Sequence, residues 1–388
     1  MEFTLTEEQL AVKEAARDFA QQELLPGVIE RDRDMKFAKE QIAMMGELGF
    51  LGMMVDPQYN GGGMDTLSYV VAMEEISKVD NSASVCMSVN NSLVCWGLET
   101  YGNEEQKQKY LTRLATGEWI GAFCLSEPEA GSDATSQRTT AIDMGDHYLL
   151  NGTKNWITNG GSSNLHVVIA QTDRDKGHRG INALIVETSW DGVVIGAKED
   201  KLGIRSSDTH TIIYNDVKVP KENRIGEDGF GFKFAMKVLS GGRIGIAAQA
   251  LGIAQGAYEL AVKYSKERTT FGEPICNHQA IAFKLADMAT EIEAARLLVY
   301  RSAWMKDQGL DYTSAASMAK LFASETAMKH TVEAVQIHGG YGYVKEYHVE
   351  RLLRDAKITQ IYEGTSEIQR MVISRNVLRG QLYEPILG

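Results

Sequence analysis

The sequence predicts an α+β protein arranged as helices, then strands, then helices again. Residues 1–120 and 231–388 carry apolar residues at helical spacing, whereas 121–230 holds short β-branched or alternating runs separated by turn residues. The periodic stretches after residue 231 are unusually long, as in helix bundles. At 388 residues the chain also exceeds what one hydrophobic core normally serves. We therefore expect a helical N-terminal domain at 1–120, a central β domain (small barrel or sandwich) at 121–230, and a C-terminal four-helix bundle at 231–388.

In the first zone, Thr6-Glu7-Glu8-Gln9 forms a capping box before a helix carrying Leu10, Val12, Ala16, Phe19 and Ala20. Leu24 and Leu25 precede Pro26, which ends it. Further helices are expected at 39–48, 67–79 and 104–116. The cluster Gly61-Gly62-Gly63 reads as a loop, since no strand precedes it and no Lys-Ser/Thr follows. In the second zone, strands are expected at 147–151, 166–170, 181–186, 193–195 and 211–219, with turns at Asn151-Gly152, Asn159-Gly160-Gly161 and Asn215-Asp216. In the third, three long helices at 232–266, 278–306 and 313–337 and a shorter one at 367–378 make the four of the bundle.

Composition excludes several functions. The chain has 40 basic and 52 acidic residues, a net charge of −12. General nucleic-acid binding needs a basic surface to displace counterions, so none is expected. A small anionic ligand is still allowed, because a few local arginines suffice for it. Cys86, Cys95, Cys124 and Cys276 form no CxxC pair, and no metal site is expected. No apolar run approaches the ~20 residues that span a bilayer, and the start MEFTLTEEQL has no secretory pattern. The expected location is the cytoplasm, or the mitochondrial matrix if a transit peptide has been removed. GxGxxG after a strand, a Walker loop, HExxH and GxSxG are all missing.

Three segments stand out. CLSEPEAGSDATS at 124–136 begins where helical character gives way to strands. Its small and hydroxyl residues would let a planar or phosphorylated ligand approach closely, or would simply make a turn. QIHGGYGYVKEYHVERLLRD at 336–355 ends a long helix at Gly339-Gly340, either as a plain C-cap and connector or as a binding bend. IYEGTSEIQR at 361–370 places Glu363 in an apolar setting before a tight turn, with Thr365 able to cap the last helix. Such a carboxylate can acquire a raised pKa and serve as a base for a carbon-bound proton, or be an ordinary surface Glu.

The first two segments resemble the two signature patterns of the acyl-CoA dehydrogenase family, and the third resembles its catalytic loop. KEDKLGIRSS at 198–207 and GGRIGIAAQALGIAQ at 241–255 are similar to the short-chain, butyryl-CoA branch, and the likeness covers essentially the whole chain. The resemblance implies FAD bound between the β domain and the bundle, and a homotetramer built as a dimer of dimers. Phe123, Leu125, Ser126, Trp156 and Thr158 fall at flavin contacts, and Thr365 and Glu367 near the FAD on the catalytic loop. Arg268, Thr270 and Phe271 in ERTTFG match the segment that holds the FAD diphosphate and adenosine. Arg268 and Phe271, with Gln336 and Gly340, match positions that reach a neighbouring subunit's flavin. Ser132 and Arg243 match positions at the CoA moiety, and Gly364 lies beside the substrate.

The implied reaction is α,β-dehydrogenation of an acyl-CoA. Glu363 takes the α-proton, the β-hydrogen leaves as hydride to flavin N5, and a trans-2-enoyl-CoA results. Some relatives carry the base just before the arginine at 243, but here that position is Gly242, which cannot serve. Ser240 stands where the family commonly has Asp, so CoA contacts around Arg243 can differ. Thr359 occupies a position where the medium-chain type carries Tyr. Electron-transferring flavoprotein is the expected acceptor. Isobutyryl- or 2-methylbutyryl-CoA dehydrogenation, an acyl-CoA oxidase, and a non-catalytic FAD- or acyl-CoA-binding protein are the alternatives.

Overall fold

The computed structural model describes residues 4–380. Helix α1 (Glu7–Phe19) starts at the capping box, with Gln9 N–H donating to Thr6 Oγ1 at 3.2 Å and Thr6 N–H to Gln9 Oε1 at 3.0 Å. Helices α2 (Lys39–Glu47) and α3 (Thr66–Ser77) follow. Helix α4 (Asn81–Ser88) then continues through a π-helical stretch, Val89–Cys95, into Trp96–Tyr101.

This 81–101 helix was not expected, because Ser82, Ser84, Ser88, Asn90, Asn91 and Ser92 are weak helix formers. Tertiary bonds override the propensity. Asn90 Nδ2 donates to Leu51 O (2.8 Å) and Leu114 O (3.1 Å), and its Oδ1 accepts from Gly121 N–H (2.9 Å). Asn91 bridges Phe50 O (2.8 Å) and Met53 N–H (2.9 Å). The same asparagines therefore fix the point where the helical zone hands over to the first strand.

The central zone has eight strands: β1 (Gly121–Cys124), β2 (Thr140–Asp143), β3 (His147–Thr158), β4 (Leu165–Gln171), β5 (Ile181–Glu187), β6 (Val193–Lys198), β7 (Thr209–Pro220) and β8 (Arg224–Ile225). One half runs β1-β4-β5-β8 and the other β2-β3-β7-β6, and the pair Thr140–Gln171 joins them. Between the halves lies a core of Ala122, Cys124, Tyr148, Leu150, Val168, Leu184, Ile212 and Tyr214. Strand β4 is buried at every residue, because alternate side chains serve two cores. Val168 and Ala170 face the interior, while Val167 and Ile169 pack with Phe234, Ala235 and Val238 of the next helix.

Two of the expected turns are not turns. Asn151-Gly152 and Asn215-Asp216 lie inside β3 and β7, opposite one another at a break in register. Gly152 (φ +148°) and Asp216 (φ +52°) form a bulge, closed by reciprocal 2.9 Å bonds between the Asn151 side chain and Asp216. Turn-forming residues served a long bent hairpin instead of ending it.

Helices α5 (Gly231–Glu267), α6 (Gln279–Asp307) and α7 (Thr313–His338) form the body of the C-terminal zone, through a core rich in alanine: Ala247, Ala254, Ala261, Ala295, Ala319 and Ala327. Small side chains allow the long helices a close approach. Helix α3 packs on α5 and α6, so the N-terminal helices share this core.

Helix α8 (His348–Ile358) falls in the stretch read as either a connector or a binding bend. It buries Val349, Leu352 and Ala356, and its Asp355 accepts from Ile204 N–H (2.6 Å), Asn81 Nδ2 (3.0 Å) and Arg351 Nη1 (3.3 Å). Those partners come from all three zones. Helix α8 therefore fixes the point from which the next segment departs, and α9 (Ser366–Leu378) ends the described chain.

Candidate active site

The segment between α8 and α9 carries Glu363 in the left-handed region, at φ +52°, followed by Gly364 at φ +93°. Such a backbone at a non-glycine residue is strained and needs external restraint. The restraint is visible. Ser366 N–H donates to Gln360 O (2.9 Å), Gln369 Nε2 to Gly364 O (2.7 Å), and Lys320 Nζ to Gly364 O (2.7 Å) and Thr359 O (3.0 Å). Thr365 caps α9, its Oγ1 accepting from Ile368 N–H at 3.3 Å. The turn thus aims one side chain.

The Glu363 carboxylate points at Gly242 of α5, and any Cβ there would collide with Oε2. Gly242 is therefore the space that the carboxylate occupies. The residue is half-buried, yet its Oε2 is shut off from water and has no hydrogen-bond partner. Desolvation raises the pKa to about 7, against the downward pull of Lys320 and Arg243. Arg243 is itself 6% exposed, its Nε is unpaired, and its Nη1 reaches only Ser317 Oγ at 3.4 Å. Ser240 turns its hydroxyl back to Met236 O at 3.0 Å, within its own helix.

A second group lies on the β domain. Asn155 N–H donates to Ser126 O (2.9 Å), and Lys154 Nζ to Leu125 O (3.1 Å), so the end of β1 is tied to β3. There β3 breaks register between Lys154 and Ile157, and the bulge holds Trp156 at φ +62° with 62% of its surface exposed. Phe123 and Thr158 are half-buried beside these segments, and Ser132 is exposed in the loop beyond. Lys154 is fully buried, with further bonds to Glu127 Oε1 (2.7 Å), Gln137 Oε1 (2.6 Å) and Ile169 O (2.6 Å). Burial outweighs the Glu127 charge and lowers its pKa to about 8.

A third group lines a cleft of about 610 Å³ where α5, the turn before α6, and the end of α7 meet. Arg268, Thr270 and Gly340 are on its wall, with Tyr264, His278 and Tyr341. Arg268 stands 5.8 Å over the Tyr341 ring, and Thr270 Oγ1 meets His278 Nε2 at 3.2 Å. Phe271, at φ +52°, is 97% exposed, and Gln336 on the last turn of α7 is exposed as well. Glu367 is exposed at the start of α9.

These groups suit an FAD. An outward indole on a strained bulge offers a flat apolar face for a fused ring, and an exposed guanidinium in an open cleft suits a diphosphate. Sequence reasoning missed Lys320, Gln369 and Lys154. Lys320 had one legible signal: it falls on the alanine stripe of α7, with Ala316, Ala319, Ala323 and Ala327, where a lysine is out of place.

Family descriptions match consecutively: acyl-CoA dehydrogenase N-terminal domain at 6–118, middle domain at 122–217 and C-terminal domain at 229–378. A short-chain specific acyl-CoA dehydrogenase of Clostridium acetobutylicum is 50% identical over 379 residues, covering 98% of this chain and 100% of that protein. The structure of butyryl-CoA dehydrogenase from Megasphaera elsdenii superposes with a TM-score of 0.96 at 49% identity, over 98% of this chain and 100% of that one. A chain from the structural study of the electron transferring flavoprotein of Acidaminococcus fermentans, concerned with flavin-based electron bifurcation, gives a TM-score of 0.97 at 52% identity, over 98% and 100% of the two chains.

Proposed function

This chain belongs to the acyl-CoA dehydrogenase family, and from that premise we propose that it dehydrogenates short acyl-CoA thioesters, butyryl-CoA foremost, with Glu363 as the base. It is an FAD-dependent oxidoreductase. The observation that carries the assignment of the base is the Glu363 carboxylate itself: aimed by a restrained left-handed turn, seated against Gly242, and left with an unpaired Oε2. A buried acceptor without a partner is costly unless a ligand supplies one. A pKa of about 7 keeps a useful fraction ionised near neutrality while making the carboxylate basic enough for a poor carbon acid.

The bound flavin supplies a two-electron acceptor for the β-hydride. The protein does the rest. Among the described residues no protein acceptor takes the Glu363 N–H, which leaves it available to the thioester carbonyl, where charge develops as the α-proton departs. We assign Arg268 and Thr270 to the diphosphate and adenosine end of FAD, and Phe123, Leu125, Ser126, Trp156, Thr158, Thr365 and Glu367 to the flavin side. Phe271, Gln336 and Gly340 would meet a neighbouring subunit's flavin. Ser132, Arg243 and Gly364 would meet the substrate.

A short acyl chain is favoured by the polar wall near Glu363. Gly245 lies one turn after Gly242, and a Cβ there would come within 2.5 Å of Tyr69 Oη and 2.6 Å of Ser88 Oγ. Tyr69 donates to Ser88 Oγ at 3.1 Å, and Tyr362 bonds Gln249, whose Nε2 holds Asn81 O (2.9 Å) and Ser84 Oγ (3.0 Å). A long alkyl chain would find little apolar surface to pack against there. Electron-transferring flavoprotein is the proposed acceptor, and a dimer of dimers the proposed assembly. Among the described residues no helix is long and apolar enough to cross a membrane. We place the enzyme in the cytoplasm, or in the mitochondrial matrix if a leader is removed.

Anaerobic titration of the yellow protein with butyryl-, octanoyl- and isobutyryl-CoA tests this reading. Butyryl-CoA is expected to bleach the flavin fastest. Faster bleaching by isobutyryl- or octanoyl-CoA would reject the short straight-chain assignment.

A further inference from the structure

Lys320 takes no chemical step in the reaction as described so far, yet it is only 1% exposed and stands within the alanine stripe of α7. Both hydrogen-bond partners of its Nζ are neutral carbonyls: Thr359 O at 3.0 Å and Gly364 O at 2.7 Å. A buried ammonium held only by carbonyls is an expensive way to fill a core position. Those two carbonyls, however, bracket Glu363. Thr359 caps α8, and its own Oγ1 is bound to Ala356 O at 2.7 Å, so one end of the tether is rigid. Gly364 takes the turn's second positive φ, +93°, and Gln369 Nε2 meets the same oxygen from α9 at 2.7 Å.

We propose that Lys320 is a positioning residue for the dehydrogenation, pinning both ends of the 359–364 turn so that the Glu363 carboxylate rests against Gly242, with the Lys320 ammonium beside it. The proposal rests on the reading of Glu363 as the base. Four other groups bear on that carboxylate or on its partners. Arg243 faces it from α5, Tyr69 from α3 and Tyr362 from its own turn, while Tyr312 at the start of α7 acts on Arg243. Lys320 and Arg243 are the two cations that pull its pKa down. Burial lowers the pKa of Lys320 to about 8, with the Glu363 charge opposing that fall, so both groups are mostly charged between about pH 7 and about pH 8.

The test uses FAD-loaded protein carrying Lys320→Met, Lys320→Arg or Glu363→Gln, mixed anaerobically with butyryl-CoA from about pH 5.5 to 9, a range that brackets a base titrating near neutrality. Lys320→Met is expected to lower the limiting rate of flavin bleaching at least about tenfold and to move its pH midpoint up by about one unit, as loss of a nearby cation should. Lys320→Arg should recover most of both. Hydrogen exchange over 359–366 should quicken in Lys320→Met. A wild-type midpoint in Lys320→Met, whatever its stability, overturns the proposal. If Lys320→Met does not fold with flavin, Lys320→Gln gives the same decision: an unmoved midpoint overturns it. Normal bleaching by Glu363→Gln would instead remove the base assignment. Failure of Glu363→Gln together with a wild-type profile for Lys320→Met would remove only the role of Lys320.

Discussion

At Glu363 the direction of the side chain and its basicity have separate causes. Backbone at φ +52° directs the carboxylate, and loss of water around Oε2 raises its pKa from 4.5 to about 7. The second effect has a consequence for stability. Below pH 4.5 the group is protonated in both folded and unfolded chains and contributes nothing; above pH 7 the folded protein carries a buried charge that the unfolded chain would solvate. Stability associated with the proton is therefore lost as pH rises through that window. Glu363→Gln should unfold like the wild type near pH 4.5 and be more stable above pH 7 by about 3 kcal/mol, measured by denaturation across pH. A difference independent of pH would contradict the burial. None of this was legible at one position: Glu363 was singled out by resemblance, and its isolation depends on Gly242, distant in sequence. Lys320 shows the converse, a residue whose register on an apolar stripe was readable but whose partners were not.

Among the elements, long regular ones could be read and short ones could not. The periodicity of 232–266, 278–306 and 313–337 gives α5, α6 and α7 to within a residue or so, because burial of one face repeats over many turns. Strands β1 and β2 have four residues each, too few for alternation to show, and the helix from 81 to 101 is held by asparagine bonds that no local pattern encodes. The β1–β3 junction carries residues assigned to the flavin. Lys154 joins Leu125 O, Ile169 O, Glu127 and Gln137, while the Glu127 carboxylate also accepts from Thr139 N–H at 3.1 Å. Removing the ammonium leaves Glu127 buried without its counter-charge. Lys154→Met should cost about 3 kcal/mol or more in denaturant unfolding and should release FAD more readily, because Ser126 and Trp156 lose their common anchor. Wild-type FAD retention in that variant would contradict the coupling of strand junction and flavin platform.

For the molecule as a whole, the α, β, α order was legible from the spacing of apolar and turn residues, while the way the zones interlock was not. Asp355 of α8 gathers Ile204 and Asn81, and α3 completes the core of α5 and α6, so the catalytic turn is braced by every zone. The segments flanking the outer cleft, by contrast, carry exposed rings: Phe271, next to the lining residue Thr270, is 97% exposed and Tyr343, next to Val344, 86%, a large apolar surface for one chain to leave in water. Assembly should cover it. Phe271→Asp is expected to reduce the proposed tetramer to smaller species by light scattering and to weaken FAD retention; an intact, fully yellow tetramer would contradict the proposed shared cleft. The central claim, that Glu363 removes the α-proton, is tested most directly by mixing FAD-loaded Glu363→Gln with butyryl-CoA without oxygen and following flavin absorbance. The expected result is bound substrate with bleaching slowed by at least ~10²-fold, the usual effect of losing a catalytic base. Bleaching at the wild-type rate would contradict it.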